Sequence, residues 1–387
     1  MTKYDFTTIP NRLTHNSVKW KEVQQDHEKL PLWVADMDFI ALPEVTQSIH
    51  EYADYGVYGY AYVEERLLDS VQTWEKEQHH YSFSKESLVF MDGVVPGLSL
   101  AIQSLTQRNE AVLINTPVYP PFARNVKLNH LILVEISFLE EDGKFFIDFE
   151  QLEKDIVDNE VKLYLLCNPH NPGGRVWSKE ELLKIGALCQ KYNVCLVADE
   201  IHQDLTLFGH QHHSFNTVSK EFKNFSIILS SASKTFNIAG VKCAYAIIEN
   251  ETLRRKFLNQ RTANNQGEVS TLGMLATTTA YQYGGEWLTQ LKQVLEQNVQ
   301  YVKRELTEKT KIKVMLPEAT YLIWLDFSAY QLGDEALKSK LSQKAKVILN
   351  EGKSFGKEGE NHARFNAAAP FSIIEEATQR LVKAFES

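Results

Sequence analysis

Cysteine is scarce in this 387-residue chain: there are four, Cys167, Cys189, Cys195 and Cys243. Each lies inside an apolar run and none has a paired spacing, which argues against a disulfide framework or a thiolate metal site and leaves four small buried hydrophobes in a reducing interior. Uncharged runs of membrane-span length are absent, and Met1-Thr-Lys-Tyr-Asp5 lacks the apolar stretch of a signal peptide, so no membrane partner is expected and the expected location is the cytoplasm. An excess of positive charge is absent as well. The net charge of −9 argues against a nucleic-acid surface. Histidines do gather, at His202, His210, His212 and His213 around Asp204, yet their spacing fits no His-Glu-x-x-His pattern and no metal is expected. There is no internal repeat and no low-complexity tract.

What is present is a large hydrophobic fraction, 43%, in a length that allows two or three domains. Short β-branched and aliphatic runs recur at Leu88–Asp92, Ala111–Asn115, Leu131–Ser137, Leu163–Cys167, Val194–Ala198, Ser226–Ser230 and Cys243–Ile248, with amphipathic segments between most of them. That alternation predicts an α/β fold with a mostly parallel sheet covered by helices on both faces. A long helix is expected over Trp287–Leu306. Beyond it, Tyr321–Phe327 and Ala345–Leu349 read as strands of a smaller α+β domain.

Three of the apolar runs end in chemistry. Phe225–Ser230 leads into Ser231-Ala-Ser233-Lys234-Thr-Phe-Asn-Ile-Ala-Gly240, where a lysine leaving a buried strand can lose solvent and become a nucleophile toward a carbonyl. Val194–Ala198 ends in Asp199-Glu-Ile-His202, and a carboxylate at such a strand exit needs a cationic partner. Leu163–Cys167 ends in Asn168-Pro-His-Asn171-Pro-Gly-Gly174, a loop that presents a side-chain amide. Open α/β sheets bind ligands at the carboxyl ends of their strands. An amine, a carboxylate and an amide together suit pyridoxal 5'-phosphate, which has an aldehyde, a pyridine nitrogen and a ring oxygen. For its phosphate, Asp92-Gly-Val94-Val95-Pro-Gly97 precedes the helical pattern Leu98–Leu105, whose first N–H groups can hold an anion.

These motifs, with Trp33-Val-Ala-Asp36-Met37-Asp38-Phe39 near one end and Arg364-Phe-Asn366 near the other, resemble the fold-type I pyridoxal-phosphate enzymes of the aminotransferase class I/II superfamily. The MalY/PatB-type cystathionine β-lyases, which break carbon–sulfur bonds, are the branch that the chain resembles over nearly its whole length. The resemblance implies that Lys234 bonds the cofactor aldehyde, Asp199 pairs with the pyridine nitrogen, Asn171 contacts the ring oxygen and Tyr119 stacks on the ring. It gives the phosphate to the backbone of Val94 and Val95, to Ser231, Ser233 and Lys242, and to Tyr60 from a neighbouring subunit. Arg364 matches the arginine that grips the substrate α-carboxylate. Two positions depart from the broad aminotransferase pattern: Lys242 stands for an arginine, and His202 for a phenol, the latter in keeping with the lyase branch. The same resemblance implies a large cofactor-binding domain over 48–284, a small domain built from 1–47 and 285–387, and a homodimer with its site at the subunit interface.

Other readings remain open on the residues alone. Tyr119 reads equally as a packed loop aromatic, and Tyr60, among Tyr52, Tyr55, Tyr58 and Tyr62, as interface packing. Lys242 is also compatible with an ordinary solvated charge, and Asp36 and Asp38 with anchors of their segment rather than an acid/base pair. The expected reaction is β-elimination from an amino-acid thioether such as cystathionine, with transamination of aromatic or sulfur amino acids as the alternative and a regulatory binding protein on the same scaffold as a third.

Overall fold

The seven apolar runs form one sheet in a computed structural model that describes residues 4–386. Its strands are β1 (Leu88–Met91), β2 (Ala111–Thr116), β3 (Ile132–Ser137), β4 (Leu163–Cys167), β5 (Cys195–Asp199), β6 (Ser226–Ser230) and β7 (Ala244–Ile247). They lie in the order β1-β7-β6-β5-β4-β2-β3. Strand β7 is antiparallel to both neighbours, and all other pairs are parallel. Successive residues of a strand enter different cores: in β2, Ala111 and Leu113 join one apolar cluster while Val112 and Ile114 join the other. Burial on both faces is why such strands read as unbroken apolar runs rather than as alternating ones.

Among the covering helices are α1 (Glu65–His79), α2 (Val94–Leu105) and α3 (Thr271–Tyr283). Helix α2 begins four residues before the Leu98 start that its apolar spacing suggests. Pro96 is tolerated there because N–H groups of a first turn have no helical acceptor to lose. Gly97 leaves room for Met91, since a Cβ at that position would lie 2.2 Å from Met91 Sδ and force that side chain to move.

The long helix is α4 (Gly285–Lys309), with Leu288, Leu291, Leu295, Val299, Val302 and Leu306 buried at helical spacing. It packs with α5 (Phe371–Phe385) beside a second, antiparallel sheet. That sheet consists of β8 (Lys313–Met315), β9 (Leu322–Asp326), β10 (Asn350–Glu351) and β11 (His362–Asn366), in the order β8-β9-β11-β10. The strand expected over Ala345–Leu349 is only Val347–Ile348, because Lys346 before it turns to a φ of 53°. This pair runs parallel to Leu30–Pro31, so the N-terminal arm is stitched to the C-terminal part of the chain. Two backbone bonds, Asn366 N to Leu32 O at 2.9 Å and Asp38 N to Ala368 O at 2.8 Å, extend the seam.

Topology now collects one rim. Strands β4, β5 and β6 end together, with Cys167 opposite Asp199 and Asp199 opposite Leu229. Because β7 is antiparallel, its first residue, Ala244, faces Met91 at the end of β1, so Lys242, Cys243 and the start of α2 reach the same edge.

Candidate active site

At this rim lies a cavity of about 170 Å3. Of the residues singled out in the sequence, Val94, Val95, Tyr119, Asn171, Asp199, His202, Ser233, Lys234 and Lys242 line it. Three of them come from the ends of β4, β5 and β6, far apart in sequence and adjacent only through the parallel register.

Lys234 sits in a four-residue helix, Ala232–Thr235, directly after β6. Its Nζ donates to the carbonyl of Ala35 at 2.6 Å, and Tyr321 donates its hydroxyl to the same oxygen at 2.9 Å. Burial, followed by the positive field of Arg364, pulls the amine down to about 8, against the opposing charges of Asp36 and Asp199. A substantial fraction is therefore neutral, and nucleophilic, near physiological pH. Asp199 moves the other way, up to about 7, because burial disfavours its charge while the Ile201 N–H and Lys234 support it. A cationic ring nitrogen brought opposite this carboxylate would hold it ionised.

Asn171 is buried, and its Oδ1 accepts Nη1 of Arg364 at 3.0 Å, which leaves the amide nitrogen for another acceptor. Arg364, on β11, is only 2% exposed. Its Nη2 donates to Trp33 O at 2.8 Å and to Asn350 Oδ1 at 3.1 Å, Nε has no partner, and the guanidinium lies 5.0 Å from the ring centre of Phe355. No carboxylate within salt-bridge distance of it appears among the described residues. His202 is buried with Nδ1 unpartnered. Burial, Lys234 and Arg364 all lower its basicity, so the imidazole is neutral. Tyr119 is partly buried, and burial raises its phenol.

The anion end of the cavity is the first turn of α2, where the N–H groups of Val94 and Val95 have no helical acceptor. Lys242 stands exposed beside it on a backbone with φ 61°. Ser231 does not line the cavity. Its hydroxyl donates to Cys243 O at 2.6 Å and accepts from Ser233 N at 3.1 Å, so it shapes the turn rather than facing the ligand space. Tyr60 is not brought to this chain's own cavity either: it is 97% exposed, in a stretch without helix or strand.

Asp36 and Asp38 act as anchors. Arg12 grips both carboxylates at 2.6 Å, and the buried Lys19 bonds Asp38 at 2.7 Å. This ionic knot fixes the segment whose Ala35 carbonyl meets Lys234. The sequence motif Trp33–Phe39 flagged the segment, but Asn350, Phe355 and Tyr321 carried no signal, because their part in the site is only to touch Arg364 or Ala35. The histidine group divides: His202 lines the cavity and His210 is exposed, while His212, bonded to Glu200 at 3.2 Å, packs edge-on against His79, which meets Asp204 at 2.7 Å.

The residues present suit pyridoxal 5'-phosphate: a half-buried amine of lowered basicity for an aldehyde, a carboxylate for a ring nitrogen, a free amide nitrogen for a ring oxygen, and unpaired N–H groups for a phosphate. Comparison with known proteins agrees. The sequence model of the family "Aminotransferase class I and II" matches residues 24–383. Cystathionine beta-lyase PatB of Bacillus subtilis (strain 168) is 40% identical over 384 residues, covering 98% of this chain and 99% of that protein. Among solved structures, cystalysin from Treponema denticola, which contains a pyridoxal 5'-phosphate cofactor, superposes with a TM-score of 0.95 at 37% identity and 98% coverage of each chain. A PLP-bound protein from Clostridium difficile 630, described as a putative aminotransferase, gives a TM-score of 0.95 at 39% identity, covering 98% of this chain and 99% of that one. The chain belongs to the aminotransferase class I and II family, in the branch of the cystathionine β-lyases, and its cofactor is pyridoxal 5'-phosphate.

Proposed function

We propose that the protein is a carbon–sulfur β-lyase that converts L-cystathionine, or a related S-substituted cysteine, to a thiol, pyruvate and ammonia; from cystathionine the thiol is homocysteine. The observation that carries the substrate class is the buried guanidinium of Arg364, which has no anionic partner among the described residues and, though not itself in the cavity's lining, bonds Asn171, which is. A buried cation calls for an anion, and the planar fork suits an α-carboxylate. PatB, at 40% identity, supports elimination as the outcome. So does the neutral His202 in the place of a phenol.

The cofactor contacts are assigned to Lys234, Asp199, Asn171, Tyr119 and His202, and its phosphate to the Val94 and Val95 N–H groups, Ser233 and Lys242, with Ser231 holding the Ser233 turn. When bound, the cofactor supplies an electron sink for the charge that develops at Cα. Arg364 holds the carboxylate, which fixes the α-hydrogen relative to Lys234. The neutral Nζ of Lys234 takes that proton. The C–S bond breaks with its electron pair on sulfur, the thiolate leaves, and the remaining three-carbon enamine hydrolyses to pyruvate and ammonia.

We assign residues 48–284 to the large domain and the arm up to residue 47, with the chain from 285, to the small one. The pairing of Leu30–Pro31 with Val347–Ile348 supports that division. The exposed side chains of Tyr55, Val57, Tyr58, Tyr60 and Tyr62 form an apolar stretch of the kind that subunits cover. We take it as the face of a homodimer through which Tyr60 reaches the partner's phosphate site; sedimentation of the protein at the mass of one chain would reject this. Four free cysteines accord with a cytoplasmic location.

The reaction is tested by incubating the protein with L-cystathionine and no keto acid. Pyruvate and free thiol are expected in equal amounts. The family likeness to an aminotransferase structure gives transamination as the second reading. Turnover that waits for a keto acid and yields a new amino acid would establish that reading instead.

A further inference from the structure

Directly behind Lys234 lies a buried ionic assembly that the proposed reaction does not use. Thr235, fully buried, donates its hydroxyl to Asp204 Oδ2 at 2.6 Å. The other oxygen, Oδ1, accepts Nε1 of Trp74 at 3.0 Å and meets Nε2 of His79 at 2.7 Å, both from α1. Asp204, His79 and Trp74 are all buried. Three donors converge on one side chain, a role that a carboxylate fills because it accepts at both oxygens and donates at neither.

Burial opposes charge on both members of the pair, yet their mutual bond prevails: Asp204 is held below the usual carboxylate range and His79 above the usual imidazole range. Glu75 on α1, Glu200 after β5, His212 edge-on against the His79 ring, Tyr281 on α3 and Lys292 on α4 also face this pair. The assembly thus ties α1 to the turn that carries Lys234.

That turn has little rigidity of its own. Four residues cannot sustain a helix in isolation, so outside anchors set where the lysine stem points. At its N-terminus Ser231 caps Ser233; at its C-terminus the anchor is the Thr235 hydroxyl on Asp204.

We propose that Asp204, with His79 as its counter-ion, is a positioning residue for Lys234, holding the base in register through Thr235. The inference rests on the reading of Lys234 as the group that bonds the cofactor and moves the α-proton.

The variant that isolates this contact is Thr235→Val, which keeps the side-chain shape and leaves Asp204 its other two donors; Thr235→Ser restores the hydroxyl. In the holoenzyme, Thr235→Val is expected to lower kcat by about 10- to 100-fold, the scale of a small misplacement of a reacting group, with KM within about twofold of the parent. In the cofactor-free protein, the pH midpoint for reductive alkylation of Lys234 by a small aldehyde is expected to move from its parent value, while Thr235→Ser returns both kcat and midpoint. A Thr235→Val protein with kcat within twofold and an unmoved midpoint would overturn the proposal, whatever its melting temperature. Failure of the underlying reading has a separate signature, a Lys234→Ala protein that still eliminates thiol at the parent rate.

Discussion

Lys234→Ala is expected to lose the visible absorbance that the lysine-bonded cofactor gives and to reduce β-elimination by about 10^4-fold, the upper range for removal of a general base. The reason is geometric as well as chemical. Among the described residues the other amine lining the cavity is Lys242, which is exposed beside the start of α2, and the guanidinium of Arg364, behind Asn171, stays protonated at about 10. His202 is the one imidazole at hand, and its neutral form is a weak base, lowered further by burial and two neighbouring cations. The fold should survive, since Lys234 is fixed by a single bond to Ala35 O and by no ion pair. Absorbance spectra and pyruvate formation measure the two effects. An unchanged spectrum together with full turnover would reject Lys234 in both of its roles.

Arg364→Ala is expected to raise KM by about 100-fold while kcat falls much less. A charge-assisted bidentate bond to a buried carboxylate contributes about 3 kcal/mol, and each 1.4 kcal/mol is tenfold in affinity. The effect should fall mainly on binding because Arg364 lies on β11 of the second sheet and meets the cavity through Asn171, whereas Lys234 and Asp199 stand at strand ends of the first; the smaller fall in kcat comes from losing the positive field that lowers the Lys234 amine. Lysine is a poor replacement, since one ammonium cannot serve Asn171, Trp33 O and Asn350 and still fork onto a carboxylate. Steady-state kinetics with cystathionine decide the matter, and an unchanged KM would remove Arg364 from substrate binding.

Both residues were singled out before any fold was known, but for different reasons. Lys234 followed from local grammar, an apolar run closing on a Ser-rich turn. Arg364 had no such grammar. It sits in His362-Ala-Arg-Phe-Asn366, a strand that alternates polar and apolar residues like a half-exposed one, although Arg364 and Asn366 are buried on bonding partners rather than turned to solvent. Only likeness to a family pointed to it. Asn350 and Phe355, which hold the guanidinium in place, left no trace in the sequence.

By itself the sequence determined the strands of the main sheet, the long helix α4 and the amine–carboxylate–amide trio, because these depend on local composition: apolar runs, 3.6-residue spacing, and the punctuation of Pro, Gly and Ser. The tertiary structure decided what touches what. The parallel register placed Cys167 beside Asp199, the antiparallel entry of β7 brought Lys242 to the same rim, and the N-terminal arm delivered the Ala35 carbonyl to Lys234 across 199 positions. It also turned Ser231 away from the cavity and set Asp204 behind the Lys234 turn. Such contacts arise from packing between segments distant in the chain, and no local pattern encodes which distant partner a buried polar group will meet.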